Sequence, residues 1–469
     1  MLGFSVRPIA SWSRPDRVLL DTGRPRPQAS PRGERVLSTW RLVGGTVLTF
    51  DTERRILDGG EVGVSDGRID YVGPARDAAT PGEVVDCAGQ AVLPGFVNAH
   101  THIAMTLMRS YADDMALQPW LETRIWPIEA HLTPEDVYWG TLLGAAESIR
   151  AGVTCFNDMY WHARETARAG LEAGLRTCPS AVLIGILPDQ EAMFRRALDY
   201  ADECLASDDP RLHIRFGPHA PYTVPDDRLE PIIAAALERD IPLHIHLAET
   251  QQEVADCVAQ HGERVIQHMD RVGVFAARTT AAHCVHLSAD EIELLAERGV
   301  GVVTCPTSNL KLGAGVAPVG SLRAAGATIG LGTDGAASNN NLDLIEELRL
   351  TALLHKGVQH DATLITAYEA LEMATAGGAA ALALDDVGRL VPGYRADLIT
   401  VDLTAPHLCP GHDPVADLTY AAQSSDVQAT MVEGRWLMRD RQLLTLDLPE
   451  VCARARAAAA GLIERAGLA

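Results

Sequence analysis

The sequence predicts an α/β chain: a (β/α)8 TIM barrel carrying a small composite β-sandwich domain formed from both ends of the chain. Three observations predict it. The middle of the chain alternates eight short apolar segments with amphipathic stretches of helical period, the pattern of parallel β/α units. Eight such units close a barrel. Both ends consist instead of short β-like segments separated by Gly and Asp, so one small sheet drawn from both termini accounts for them.

Taken in order, residues 1–38 hold seven Arg, five Pro and only three acidic residues. They lack the apolar run of a secretory leader and read as a disordered extension. From Trp40, "RLVGGTVLTFD", "GEVGVSDGRIDYVG" and "AVLPGFVNAH" alternate around turn residues. "SDGRI" places Asp-Gly between two strand-like runs, a hairpin signal. Residues 39–93 are therefore the first part of the sandwich. The barrel follows over 94–389, with strands expected at 91–98, 153–159, 177–185, 213–219, 242–248, 279–285, 301–306 and 328–333. "PEDVYWGTLLGAAESIRAG" and "ADEIELLAERG" read as barrel helices, the second opened by a Ser288 to Glu291 capping box. "ADLITVDL" and "VQATMVEGRWLMRDRQLL" return to β pattern and complete the sandwich over 390–445. An Ala- and Arg-rich helix at 449–467 closes the chain within a terminal segment, 446–469.

Composition narrows the function. With 47% hydrophobic and 22% charged residues, the 469-residue chain reads as a soluble globular protein. A net charge of -22 argues against a nucleic-acid backbone as partner; a small neutral or cationic ligand fits better. No run of 18 apolar residues marks a membrane span. Nine cysteines without a C-x-x-C pair, mostly within apolar runs, suit buried thiols in a reducing cytoplasm.

The chemistry concentrates at predicted strand ends, where barrels place their active sites. Strand one ends in "NAHTHIAM", and the spacing of His100 and His102 turns both rings to the same side of an extended segment. Strand four supplies His219. Strand five ends in "HIHLAET", with His246 and Glu249 at the tip and His244 one alternation earlier. Strand six ends in "AAHCVH", giving His283 and His286, and strand eight in "GTDGAASNN", giving Asp334. A lone H-x-H is a weak signal. Five strand ends delivering His, Glu or Asp to one rim are a strong one.

"PGFVNAHTH", "HLAET", "HCVHL" and "GTDGAASNNNLD" together resemble the motifs of the amidohydrolase superfamily, in its branch of methylthioadenosine and S-adenosylhomocysteine deaminases. The likeness covers about residues 40–445. It implies His100, His102, His246 and Asp334 as metal ligands, and Glu249, His283 and Asp334 as catalytic groups. Three imidazoles and one carboxylate leave an open position for water, whose pKa a divalent ion lowers towards neutrality. Binuclear relatives bridge two ions with a carboxylated lysine from strand four. "LHIRFGPHA" has no lysine, so one divalent metal per chain is expected, Zn2+ by the resemblance, with Fe2+ as the alternative.

On the substrate side, Trp120, Glu129 and His219 match positions that the family uses against a nucleoside, with Glu249 and Asp334 reaching the base. Glu129 resembles the carboxylate that takes both ribose hydroxyls. Relatives that accept S-adenosylhomocysteine carry arginines after strand three. Here Arg176 and Arg195 bound an arginine-free stretch, which favours a neutral 5′ substituent. The implied reaction is hydrolytic deamination of the 6-amino group of an adenosine-type nucleoside: 5′-methylthioadenosine, 5′-deoxyadenosine, adenosine or S-adenosylhomocysteine. Alternatives are an aminodeoxyfutalosine deaminase, a guanine-type deaminase, a chlorotriazine hydrolase, or a non-catalytic relative. The implied partner is a small-molecule nucleoside, with neither nucleic acid nor membrane. The oligomeric state stays open, a homo-oligomer included.

Overall fold

The computed structural model describes residues 39–468, so the expectation for residues 1–38 lies outside it. The N-terminal strands are β1 (Trp40–Leu48), β2 (Ile56–Ser65), β3 (Arg68–Pro74), β4 (Glu83–Asp86) and β5 (Gln90–Pro94). The β2–β3 hairpin turns at Asp66 and Gly67, both at positive φ, as the Asp-Gly pair predicts.

The barrel strands follow: β6 (Phe96–Thr101), β7 (Val153–Tyr160), β8 (Arg176–Leu183), β9 (Arg215–Pro218), β10 (Leu243–Leu247), β11 (Thr279–His283), β12 (Gly301–Thr304) and β13 (Thr328–Leu331). All adjacent pairs from β6 to β13 are parallel. Two side-chain bonds and one backbone bond carry the seam between first and last strands. Asn98 Nδ2 donates to Thr333 Oγ1 (2.8 Å), Thr333 N donates to Asn98 Oδ1 (3.1 Å), and Asp334 N donates to His100 O (3.1 Å).

The strand expected at 91–98 is two strands in two sheets. Residues 90–94 pair with β1 and with the C-terminal sheet, and the barrel strand begins only at Phe96. An unbroken apolar run cannot reveal this break, because both flanking strands are buried. Gly95 marks it: a Cβ there would lie 2.1 Å from the Thr154 side chain.

The chain returns to the first sheet with β14 (Leu398–Asp402), β15 (Val427–Val432), β16 (Arg435–Arg439) and β17 (Gln442–Leu443). One sheet, in the order β17-β16-β15-β14-β5-β1-β2-β3 with β4 on β1, thus joins both ends of the chain. It curls until Trp40 meets Trp436 edge to face, 5.7 Å between ring centroids, over a core including Leu42, Val64, Leu398 and Met431. Arg176, on β8, ties the barrel to this domain through Asp397 (2.8 Å) and Glu433, with Arg176 and Asp397 both buried. The final helix, Leu448–Arg465, buries Leu462 among Trp120, Ile128 and Val137, and Arg465 pairs with Asp136. It thereby braces the loop beside the barrel mouth. Among the described residues no helix is long and apolar enough to cross a membrane.

Candidate active site and metal centre

The strand ends bring His100, His102, His246, His283 and Asp334 together. Ligand atoms of His100, His102 and His246 lie within 4.8 Å of one another, as do those of His100, His283 and Asp334. Each proposed ligand imidazole is held through Nδ1: His102 on Met159 O (2.5 Å), His246 on His219 O (2.7 Å), and His100 on His244 Nε2 (2.8 Å). This leaves Nε2 of each to face the others, the arrangement that orients a metal-binding histidine. Asp334 Oδ2 accepts from Ser308 (2.5 Å) and Ser338 (2.7 Å). Its Oδ1 points at His100 Nε2 (3.3 Å) and His102 Nε2 (3.1 Å).

The residues fit a divalent cation. His100 Nε2 and Asp334 Oδ1 are both buried without a hydrogen-bond partner, which is costly unless a ligand satisfies them. Three imidazoles and a carboxylate suit Zn2+ or Fe2+. Burial pushes His100 down to about 4 and holds His246 well below its ordinary range, whereas the Asp334 carboxylate, working against burial, lifts His102 to about 9. β9 contains no lysine, and the chain's two lysines are engaged elsewhere. Lys311 pairs with Asp113, and Lys356 donates to Ile365 O.

Glu249 and His283 flank the cluster, with Glu249 Oε2 3.9 Å from His283 Nε2. Both carboxylate oxygens of Glu253 pin the turn after β10, accepting from Ala248 N (3.0 Å) and Glu249 N (2.8 Å). His283 Nδ1 is held by Asn309 Oδ1 (2.9 Å), which turns Nε2 inward. Burial raises the Glu249 carboxyl above its ordinary range, so it is a group able to hold a proton. Ala248, His283, Cys284 and Asp334 all adopt positive φ. Such strained strand ends are held by their surroundings and cluster at functional sites.

Trp120, Glu129 and His219 line the same cavity as His102, His246, Glu249, His283 and Asp334. Trp120 is buried, with Nε1 bonded to Ala112 O (3.0 Å). Leu117, Leu121, Ile125, Trp126 and Leu312 complete an apolar wall, and among the described residues the lining includes neither Lys nor Arg. Glu129 accepts from Trp161 Nε1 (3.2 Å), and burial raises its carboxyl. His219 Nδ1 contacts Thr223 Oγ1 (3.0 Å), and burial lowers His219 to about 3, so it stays neutral.

His286 lies outside the cavity, with Nε2 on Ala314 O (2.7 Å). Arg195 and Arg196 are exposed, and Arg196 pairs with Asp189 (3.2 Å). Sequence reading missed Tyr160 and Trp161, whose signal is an aromatic pair at the end of β7. It also missed Ser308, Asn309 and Ser338. "TSN" at 307–309, shortly after β12, was the signal for Ser308 and Asn309, and "GAASNN" after Asp334 the signal for Ser338.

An eight-stranded parallel barrel with a composite sheet domain and this rim of His, Asp and Glu defines a class, and the chain belongs to the Amidohydrolase family. The family model matches residues 91–437. A 5-methylthioadenosine/S-adenosylhomocysteine deaminase of Pelotomaculum thermopropionicum is 46% identical over 427 residues, 90% of this chain and 99% of the relative. A protein of the same description from Dictyoglomus thermophilum is 46% identical, over 85% of this chain and 91% of the relative. Among solved structures, an adenosine deaminase from Xanthomonas campestris with bound zinc superposes with a TM-score of 0.88 at 40% identity, covering 91% of this chain and 99% of that one.

Proposed function

We propose that this protein is a metal-dependent hydrolase that deaminates the 6-amino group of an adenosine-type nucleoside, releasing ammonia and the inosine form. The observation that carries the reading is one cavity holding the His/Asp cluster, a proton-holding Glu249 and a half-buried Glu129. The names of the relatives agree with it. His100, His102, His246 and Asp334 would hold one divalent ion, Zn2+ in preference to Fe2+ given the zinc in the Xanthomonas campestris structure. When bound, the ion supplies the Lewis acidity that makes water a nucleophile at neutral pH.

The chain's own residues do the rest. Glu249 passes a proton from the attacking water to N1 of the purine as oxygen adds at C6, a general acid/base role matched by its raised affinity for a proton. His283 Nε2, fixed through Asn309, hydrogen-bonds the water and aims it. Asp334 takes the second water proton and gives it to the departing amine as the C6–N bond breaks. His219 and Trp120 bound the nucleoside, and Glu129 accepts from its vicinal hydroxyls. Free thiols at all nine cysteines suit a cytoplasmic setting.

The cation-free lining sets substrate preference. A carboxylate on the 5′ tail meets no fixed positive charge among the described residues, whereas a methylthio group or hydrogen meets apolar wall. 5′-Methylthioadenosine or 5′-deoxyadenosine should therefore exceed S-adenosylhomocysteine in kcat/KM. 2′-Deoxyadenosine should fall below adenosine, because it leaves Glu129 unsatisfied. Steady-state ammonia release across these compounds tests the reading. A clear preference for S-adenosylhomocysteine refutes the neutral tail, and equal activity on free adenine removes Glu129 from the site.

A further inference from the structure

His244 lies on β10, two residues before His246, and its ring is fully buried beneath the cluster. His102 and His246 rest their Nδ1 atoms on backbone carbonyls, at 2.5 and 2.7 Å. A carbonyl only accepts, so it holds the proton on Nδ1 and leaves Nε2 bare for a cation. His100 differs. Its Nδ1 meets His244 Nε2 at 2.8 Å, and an imidazole nitrogen can either accept or donate.

The tautomer of His100 is therefore decided one residue further away. His244 Nδ1 lies 2.8 Å from Ser180 Oγ on β8. Asn157 Nδ2 donates to Ala99 O (2.9 Å) and sits 3.1 and 3.3 Å from the two His244 nitrogens. A partner in the ring plane of one nitrogen would be far from the other, so this near-equal spacing makes Asn157 a packing neighbour. Ser180 is left as the directional partner of Nδ1.

We infer that His244 is a positioning residue for the metal centre: it accepts from His100 Nδ1–H, donates its own Nδ1–H to Ser180 Oγ, and so keeps His100 Nε2 free of a proton. In the opposite arrangement His244 donates to His100, the His100 proton moves to Nε2, and that nitrogen cannot bind a cation. The inference rests on the proposed ligand set, His100 in particular. It gives His244, at a position that touches neither cavity nor substrate, a role in metal affinity. Supports of this kind cost about 10–100-fold in affinity when lost.

Two isosteres separate this role from packing. In His244→Gln the amide oxygen can reach the Nε2 position and still accept from His100. In His244→Asn the amide can replace Nδ1 beside Ser180 but cannot reach His100. Zn2+ affinity is measured by chelator competition on purified full-length protein, with thermal melts of the metal-free forms alongside. The expected result is affinity reduced about 10–100-fold in His244→Asn and nearly restored in His244→Gln, with similar metal-free melting temperatures. Equal Zn2+ affinity in both variants and the wild type overturns the inference, as does an equal loss in both. If His244→Asn does not fold, Ser180→Ala decides. It removes the acceptor for Nδ1–H and should weaken Zn2+ binding, and unchanged affinity rejects the relay. His100→Ala is the control on the underlying reading: if it binds Zn2+ as tightly as wild type, the ligand set has failed, not the role of His244.

Discussion

Glu249 and Glu347 show one physical cause, burial of a carboxyl, put to two uses. In Glu249 the raised proton affinity is placed beside His283 in the substrate cavity. Glu249→Gln keeps size and polarity but cannot shuttle a proton. It should keep its metal while turnover falls roughly 100-fold or more, measured as ammonia release together with metal analysis. Near-normal turnover rejects the assignment. Glu347 lies outside the cavity, accepting from Thr307 N (3.1 Å) and Asn339 Nδ2 (2.7 Å). Burial lifts it from 4.5 to about 8. Since the folded value is the raised one, the proton's contribution to stability is full below the unfolded pKa and disappears as pH rises to the folded pKa. Glu347→Gln does not titrate. Its melting temperature relative to wild type should therefore climb between pH 5 and pH 8, and a difference that stays flat with pH contradicts the assignment.

At the scale of elements, the strands aim the site and the helices carry stability. The helix Ala289–Glu297 begins with a complete capping box: Ser288 Oγ accepts from Glu291 N (3.3 Å), and Glu291 Oε2 accepts from Ser288 N (2.8 Å). Ser288→Ala removes one of these bonds at a residue outside the cavity lining. It should cost about 1 kcal/mol in denaturant unfolding and leave kcat/KM unchanged; lost activity in a fully folded variant would show that this helix does more than support the barrel. The strand ends behave oppositely. His283 and Asp334, at φ of +71° and +58°, hold conformations that cost of order 1–3 kcal/mol each. The barrel retains them because the seam bonds of Asn98 and Thr333 and the caps from Ser308, Ser338 and Asn309 leave no alternative.

At the scale of the whole molecule, barrel and sheet domain meet across a buried charge network. Arg176 bonds Asp397 and Glu433, and Asp397 Oδ1 also accepts from Glu433 N (2.8 Å). Arg395 adds a further pair with Glu433 at 3.0 Å. Arg176→Met leaves a buried acid without its principal partner. The loss should be roughly 3–5 kcal/mol, read as an earlier unfolding transition with the metal site intact below it. A variant as stable as wild type would show that apolar packing alone joins the domains. The metal reading also belongs to this scale: elemental analysis should find about one tightly bound divalent ion per chain, since the strand-end cluster around His100, His102, His246 and Asp334 forms one site and β9 carries no lysine to bridge a second ion there. Two tightly bound ions, or none after metal-supplemented expression, would refute it.

The sequence by itself determined what is local and periodic. Strand alternation, helical period and the Asp-Gly turn set the elements, and the period of two placed His100 beside His102. Because barrel chemistry sits at strand ends, His246, Glu249, His283 and Asp334 were legible as one site before any distance was known. The equally suggestive His286 was not distinguishable from them, since only the chain's path after β11 turns its ring to Ala314. The break at Gly95 was hidden because burial on both sides erases any pattern. Tertiary structure alone decided the contacts between residues far apart in sequence. Asn309 on His283, Ser308 and Ser338 on Asp334, Trp161 on Glu129 and His244 on His100 are all hydrogen bonds across strands or loops. Such bonds depend on direction and distances near 3 Å, which hydrophobic pattern does not encode and barrel closure supplies.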